Sequence, residues 1–172
     1  MTALAPLTLV LGGARSGKSR HAEALITSRP PPWRYVATAQ ALDAEMAERI
    51  ALHRGQRGKG WETHEVPLAL PECVARLGVQ PAPILVDCLT LWLTNLMLGE
   101  HDLTAAVAGL ETALEGAVAP IALVANEVGL GIVPENALAR RFRDEAGRLN
   151  QRLAARATQV IFMVAGLPMR VK

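Results

Sequence analysis

Eight consecutive residues carry the densest chemistry in this chain. Gly12-Gly13-Ala14-Arg15-Ser16-Gly17-Lys18-Ser19 satisfies G-x-x-x-x-G-K-[ST] throughout. Such a loop turns consecutive backbone N–H groups onto phosphate oxygens, and its glycines permit the backbone angles and the close approach this requires. A helix beginning near Lys18 adds its positive end. Lys18 would neutralise β- and γ-phosphate oxygens, and Ser19 would offer its hydroxyl oxygen to Mg²⁺. Arg15 could touch a phosphate or stay in solvent.

A second candidate is Asp87, which ends the apolar run Ile84-Leu85-Val86. A carboxylate there can hold Mg²⁺ directly or through water, as in a Walker B strand. Its alternative role is to cap a helix starting at Leu89. A third candidate is the segment Asp43 to Arg54, which reads as an amphipathic helix. Met46, Ile50 and His53 share one face of it, with Arg49 an i,i+4 neighbour of His53. A basic, glycine-rich stretch follows, Gly55-Gln56-Arg57-Gly58-Lys59-Gly60, able to wrap an anion. Cations around His53 would keep its imidazole neutral and nucleophilic at pH 7. Taken alone, His53 is more often a satisfied or solvated histidine than a catalyst, and the loop a solvated surface.

These groups need elements to place them. Strand-like runs fall at Leu7–Leu11, Tyr35–Ala37, Thr63–Val66, Ile84–Asp87, Ile121–Ala125 and Val160–Val164, with Met169–Val171 as a short edge strand. Helical patterns fall between them at Lys18–Ser28, Asp43–Arg54, Pro71–Leu77, Leu89–Leu98, Thr104–Leu114 and Asn136–Arg156. The last has Leu138, Phe142, Leu149 and Leu153 on one face. Strands without apolar/polar alternation are buried on both sides. Alternation with helices predicts an α/β fold, a mainly parallel sheet with helices on both faces. Active residues belong at the carboxyl ends of its strands. That rule selects Gly12–Ser19, the Thr38 region, Asp87 and Asn126–Gly131.

Length and composition fit one domain over residues 1–172, with 51% apolar and 20% charged residues. A net charge of +2 and only six aromatic residues (three Trp, two Phe, one Tyr) argue against a nucleic-acid partner. Cys73 and Cys88 are too few for a disulfide framework. The start of the chain does not read as a signal peptide, and the longest apolar run, Val160–Leu167, falls far short of a membrane span. The expectation is a cytoplasmic protein without membrane insertion. A regulatory GTPase would need D-x-x-G and N-K-x-D. The corresponding stretches read Asp87-Cys88-Leu89-Thr90 and Asn126-Glu127-Val128-Gly129, and both fail.

Taken together, the segments resemble one family: the bifunctional adenosylcobinamide kinase/adenosylcobinamide-phosphate guanylyltransferases of cobalamin biosynthesis. The resemblance rests on Gly12–Glu23, Tyr35-Val36-Ala37-Thr38-Ala39, Glu45-Met46 through His53-Arg54, Trp61, Glu65, Val86–Thr90 and Thr94-Asn95-Leu96. It continues through Asn126–Pro134, Leu138–Asp144 and Asn150-Gln151. It implies a RecA-like P-loop fold, a homotrimer and two reactions. In one, ATP or GTP phosphorylates adenosylcobinamide. In the other, GMP passes from GTP to adenosylcobinamide phosphate by way of a guanylylated histidine, which maps onto His53. Gly12–Ser19 would hold the triphosphate and Ala37, Thr38 and Ala39 would lie along the nucleotide. Arg54, Gly55, Gln56, Arg57, Glu65 and Asp87 would complete the GTP site. Two positions depart from the family pattern. Leu52 stands where some relatives have a second histidine, and Gly58 stands where many have proline.

Overall fold

The computed structural model describes residues 4–40, 48, 55 and 58–172. Seven strands form one sheet: β1 (Leu7–Gly12), β2 (Trp33–Ala37), β3 (Trp61–Glu65), β4 (Ile84–Asp87), β5 (Ile121–Asn126), β6 (Gln159–Val164) and β7 (Leu167–Arg170). Their order is β3-β2-β4-β5-β1-β6-β7. All neighbours run parallel except β7, which returns antiparallel on β6. Among the described residues the helices are α1 (Lys18–Thr27), α2 (Leu70–Gly78), α3 (Leu89–Leu98), α4 (Leu103–Glu115) and α5 (Ala137–Arg156). The expected helix over Asp43–Arg54 lies, apart from Glu48, outside the described residues.

Apolar runs let each central strand feed two cores. On β4, Ile84 and Val86 point to one side and Leu85 to the other. On β5, Ile121, Leu123 and Ala125 alternate in the same way with Ala122 and Val124. The first side is covered by α2 to α5, through Leu70, Val74, Trp92, Leu110, Leu149 and Leu153. The second is covered by α1, through Ala22, Leu25 and Ile26. Cys73 and Cys88 are free thiols in opposite cores. The expected apolar face of α5 holds at Leu149 and Leu153. It fails at Leu138, which is 52% exposed. The segment leading into that first turn is itself exposed, so nothing lies over it.

A buried charge cluster ties α4 to α5. Glu111 is 6% exposed and accepts from Arg152 Nε at 2.8 Å and Nη2 at 2.5 Å, with Arg156 Nη1 at 3.2 Å. The Arg152 hydrogen bonds hold its carboxyl below the ordinary value of 4.5. Such a group adds stability above its unfolded pKa that is lost as the pH falls through its folded one. Glu111→Gln should therefore cost about 1–3 kcal/mol at neutral pH and flatten the acid limb of Tm against pH. An acid limb as steep as the wild type would contradict this.

Candidate active site

The parallel strands deliver their carboxyl ends to one rim, and the loop Gly12–Ser19 leaves that rim between β1 and α1. Gly12 closes β1 at φ +151°, where a Cβ would come within 2.7 Å of both the Met163 carbonyl oxygen and Ser16 Oγ. No other residue fits without displacing β6. Gly17 precedes α1 at φ +90°, and no side chain caps that helix, so its first N–H groups face out of the turn. Arg15 sits exposed at the loop tip in a left-handed conformation, φ 54°. The β6–β7 turn supports the loop from behind, its Gly166 N–H donating to the Ser16 carbonyl at 3.2 Å.

Lys18 is the buried cation of the site, 7% exposed. Its ammonium donates back to the Gly13 carbonyl at 2.5 Å, spanning the loop. Burial lowers its pKa below the lysine range, opposed by the neighbouring Cys88 and Asp87. Gly13 and Ala14 are exposed on the loop's outer side, and Ser19 follows Lys18 in the first helical turn.

Asp87 ends β4, as expected. It is not a helix cap: α3 starts from Cys88 with no side-chain cap. Instead Asp87 Oδ2 accepts from the Tyr35 hydroxyl at 2.9 Å. The next residue, Cys88, has its thiol pushed up to about 11 by burial and by Asp87. It is a protonated thiol at neutral pH and cannot serve as a nucleophile.

Thr38 is fully buried beyond β2, and its side chain supports the rim. Its hydroxyl donates to the Cys88 carbonyl at 2.6 Å and accepts from the Cys88 N–H at 2.9 Å. Asn95 on α3 donates to the carbonyls of Thr38 (2.8 Å) and Pro67 (2.9 Å). Thr90 Oγ1 accepts the Asn126 N–H at 2.7 Å, and Asn150 on α5 donates to the Asn126 carbonyl at 3.2 Å. Side chains of α3 and α5 thus tie down the chain just past β3 and β2 and the end of β5. Buried groups satisfied in this way fix a geometry.

Ala37 pairs with Asp87 on one side and Glu65 on the other, so these three candidates share one register at the end of β2, β4 and β3. Ala39 follows two residues on, half-buried. Gly55 is described and exposed. His53, Arg54, Gln56 and Arg57 lie outside the described residues. Two other histidines have their pKa lowered, mainly by burial. These are His21 on α1 and His64 on β3.

The family model described as cobinamide kinase / cobinamide phosphate guanyltransferase matches residues 8–171. The chain belongs to that family. Its relatives in the cobinamide kinase / guanyltransferase family include the bifunctional adenosylcobalamin biosynthesis protein CobP of Pseudomonas aeruginosa. That protein is 49% identical over 95% of this chain and 96% of its own length. The bifunctional adenosylcobalamin biosynthesis protein CobU of Salmonella typhimurium is 45% identical over 96% of this chain and 99% of its own. Membership makes the chain an enzyme of cobalamin biosynthesis with cobinamide kinase and cobinamide phosphate guanylyltransferase activities.

Two more distant structures share the fold alone. The flagellar accessory protein FlaH of Methanocaldococcus jannaschii aligns at TM-score 0.52 and 16% identity, over 96% of this chain and 77% of its own. An ATPase of a bacterial type III secretion system aligns at 0.52 and 13%, over 95% and 56%. Both agree with an α/β architecture around a mostly parallel sheet.

The donor set fits a hard cation such as Mg²⁺: the Asp87 carboxylate and the Ser19 hydroxyl would offer it oxygen atoms from neighbouring elements. Among the described residues no group of three His, Cys, Asp or Glu could hold a metal ion. A cation would therefore be completed by phosphate and water oxygens, the arrangement Mg²⁺ prefers.

Proposed function

We propose that the enzyme phosphorylates the aminopropanol hydroxyl of adenosylcobinamide with ATP or GTP, then guanylylates the product through His53. The observation that supports this reading is the buried Lys18 ammonium spanning the Gly12–Ser19 loop beside Asp87. Gly12, Gly13, Ala14, Arg15, Ser16, Gly17, Lys18 and Ser19 hold the triphosphate. Ser19 and Asp87 hold Mg²⁺, which supplies charge neutralisation at the phosphates. Ala37 and Ala39 flank the nucleotide, while Thr38 acts through the Cys88 peptide. Arg54, Gly55, Gln56, Arg57 and Glu65 complete the GTP site.

In the second reaction a neutral His53 ring nitrogen bonds to the α-phosphorus of GTP and pyrophosphate leaves. A phosphate oxygen of adenosylcobinamide phosphate then attacks the same phosphorus, and the imidazole leaves. Adenosylcobinamide-GDP is the product. Covalent catalysis splits one hard substitution into two easier ones.

A homotrimer acting in the cytoplasm, each chain one domain over 1–172, completes the proposal. Exposed Leu130, Ile132 and Val133 after β5, and Leu167 and Met169 on β7, supply apolar surface for subunit contact. No helix among the described residues is long and apolar enough to cross a membrane.

The direct test incubates the protein with adenosylcobinamide, ATP, GTP and Mg²⁺ and follows products by mass. The expected result is adenosylcobinamide phosphate, then adenosylcobinamide-GDP with one pyrophosphate per GDP-linked product. Release of orthophosphate in place of pyrophosphate in the second step would overturn the reaction as written.

A further inference from the structure

Tyr35 lies on β2 opposite Leu85 of β4, and Asp87 is two residues further along β4. Tyr35, Leu85 and Asp87 therefore share the face of the sheet covered by α1. The Tyr35 ring is 5% exposed. Trp61 of β3 packs on it edge-on at 6.0 Å, and Trp33 packs against Trp61 at 5.5 Å. The phenol is thus held by its surroundings, and its hydroxyl reaches Asp87 Oδ2 at 2.9 Å. A carboxylate's terminal torsion is soft and broad, so a hydrogen bond from a fixed donor is what sets its plane.

We propose that Tyr35 is a positioning residue for the site: its hydroxyl occupies Asp87 Oδ2 and presents Oδ1 to the phosphate-bound divalent cation. The inference rests on the reading of Asp87 as the cation's carboxylate. Outer partners that orient a ligating group typically change metal affinity about 10–100-fold when removed. Removal of this hydroxyl leaves the carboxylate free to rotate, and the cation then pays for ordering it. The ring itself contributes to packing, and Tyr35→Phe keeps it.

Tyr35 is the only tyrosine in the chain, so it reports on its own neighbourhood. The test uses full-length protein saturated with GDP, with Mn²⁺ as the probe. Bound Mn²⁺ is counted by electron paramagnetic resonance in wild type, Tyr35→Phe and Asp87→Asn. In parallel, wild-type protein labelled with ¹³C at tyrosine Cζ is titrated with Mn²⁺. We expect roughly tenfold weaker Mn²⁺ binding in both variants, with GDP affinity in the absence of metal and Tm close to wild type in Tyr35→Phe. We also expect the single tyrosine signal to broaden with Mn²⁺ in wild type, and in Asp87→Asn only at roughly tenfold higher Mn²⁺ concentration.

Wild-type Mn²⁺ affinity in Tyr35→Phe, with binding lost in Asp87→Asn, would reduce the hydroxyl to a satisfied core group and overturn the proposal alone. Wild-type affinity in both variants would overturn the Asp87 reading with it. An unbroadened tyrosine signal in saturated wild-type protein overturns the proposal without any substitution.

Discussion

His53→Ala should abolish guanylyl transfer, by at least about 10⁴-fold, while kinase turnover stays within a few-fold of wild type. The two reactions ask different things of the protein. Phosphoryl transfer to a hydroxyl runs in line, through positioning and charge neutralisation, and needs no imidazole bonded to phosphorus. Guanylyl transfer by way of a covalent intermediate cannot begin without one. Among the described residues, the Cys88 thiol beside the loop offers no substitute, its pKa being raised to about 11 by burial and by Asp87. The check is parallel steady-state assays, adenosylcobinamide phosphate formed from ATP and adenosylcobinamide-GDP formed from GTP. Equal loss of both activities in a folded variant would contradict the assignment of His53.

Lys18→Ala should depress both reactions, each by about 10²–10³-fold, because the proposed mechanism uses one triphosphate site for both. The Lys18 ammonium is buried and rests on the Gly13 carbonyl, so phosphate oxygens arriving in the loop replace a partner it already holds at short range. Its pKa is lowered by burial. Nucleotide affinity should accordingly fall on the alkaline side at a lower pH than an exposed lysine would allow. Circular dichroism and Tm verify that the variant folds. Full kinase turnover in Lys18→Ala would show that the loop is not where phosphate binds.

The loop was readable from sequence because its chemistry is local. Eight adjacent residues define the turn, and the strand before and the helix after are short-range patterns. The parallel sheet was readable for a related reason: runs such as Ile121–Ala125 lack alternation, and in the structure both of their faces are buried. Asp87 was readable as the end of β4, with cation ligand and helix cap as its two roles, and α3 carries no side-chain cap. Its contact from Tyr35, 52 residues away, runs through a strand pairing that no local pattern reveals.

Thr38 shows the same limit from the other side. The family resemblance implied a place along the nucleotide, and what no local pattern reveals is that its hydroxyl bonds both polar groups of Cys88. Asn95 and Asn150 stood out only as part of a resemblance. Their work as ties between strand ends depends on which helix crosses which rim. Leu138 misled because periodicity names a face without saying whether anything lies over it.

Intact-mass measurement of the purified enzyme after exposure to GTP and Mg²⁺ bears most directly on the central claim. The account predicts one added GMP per chain, carried on the peptide containing His53, stable in base, labile in acid and lost on addition of adenosylcobinamide phosphate. An unmodified mass under conditions of active guanylyl transfer, or an adduct on a peptide containing His21 or His64 instead, would contradict it.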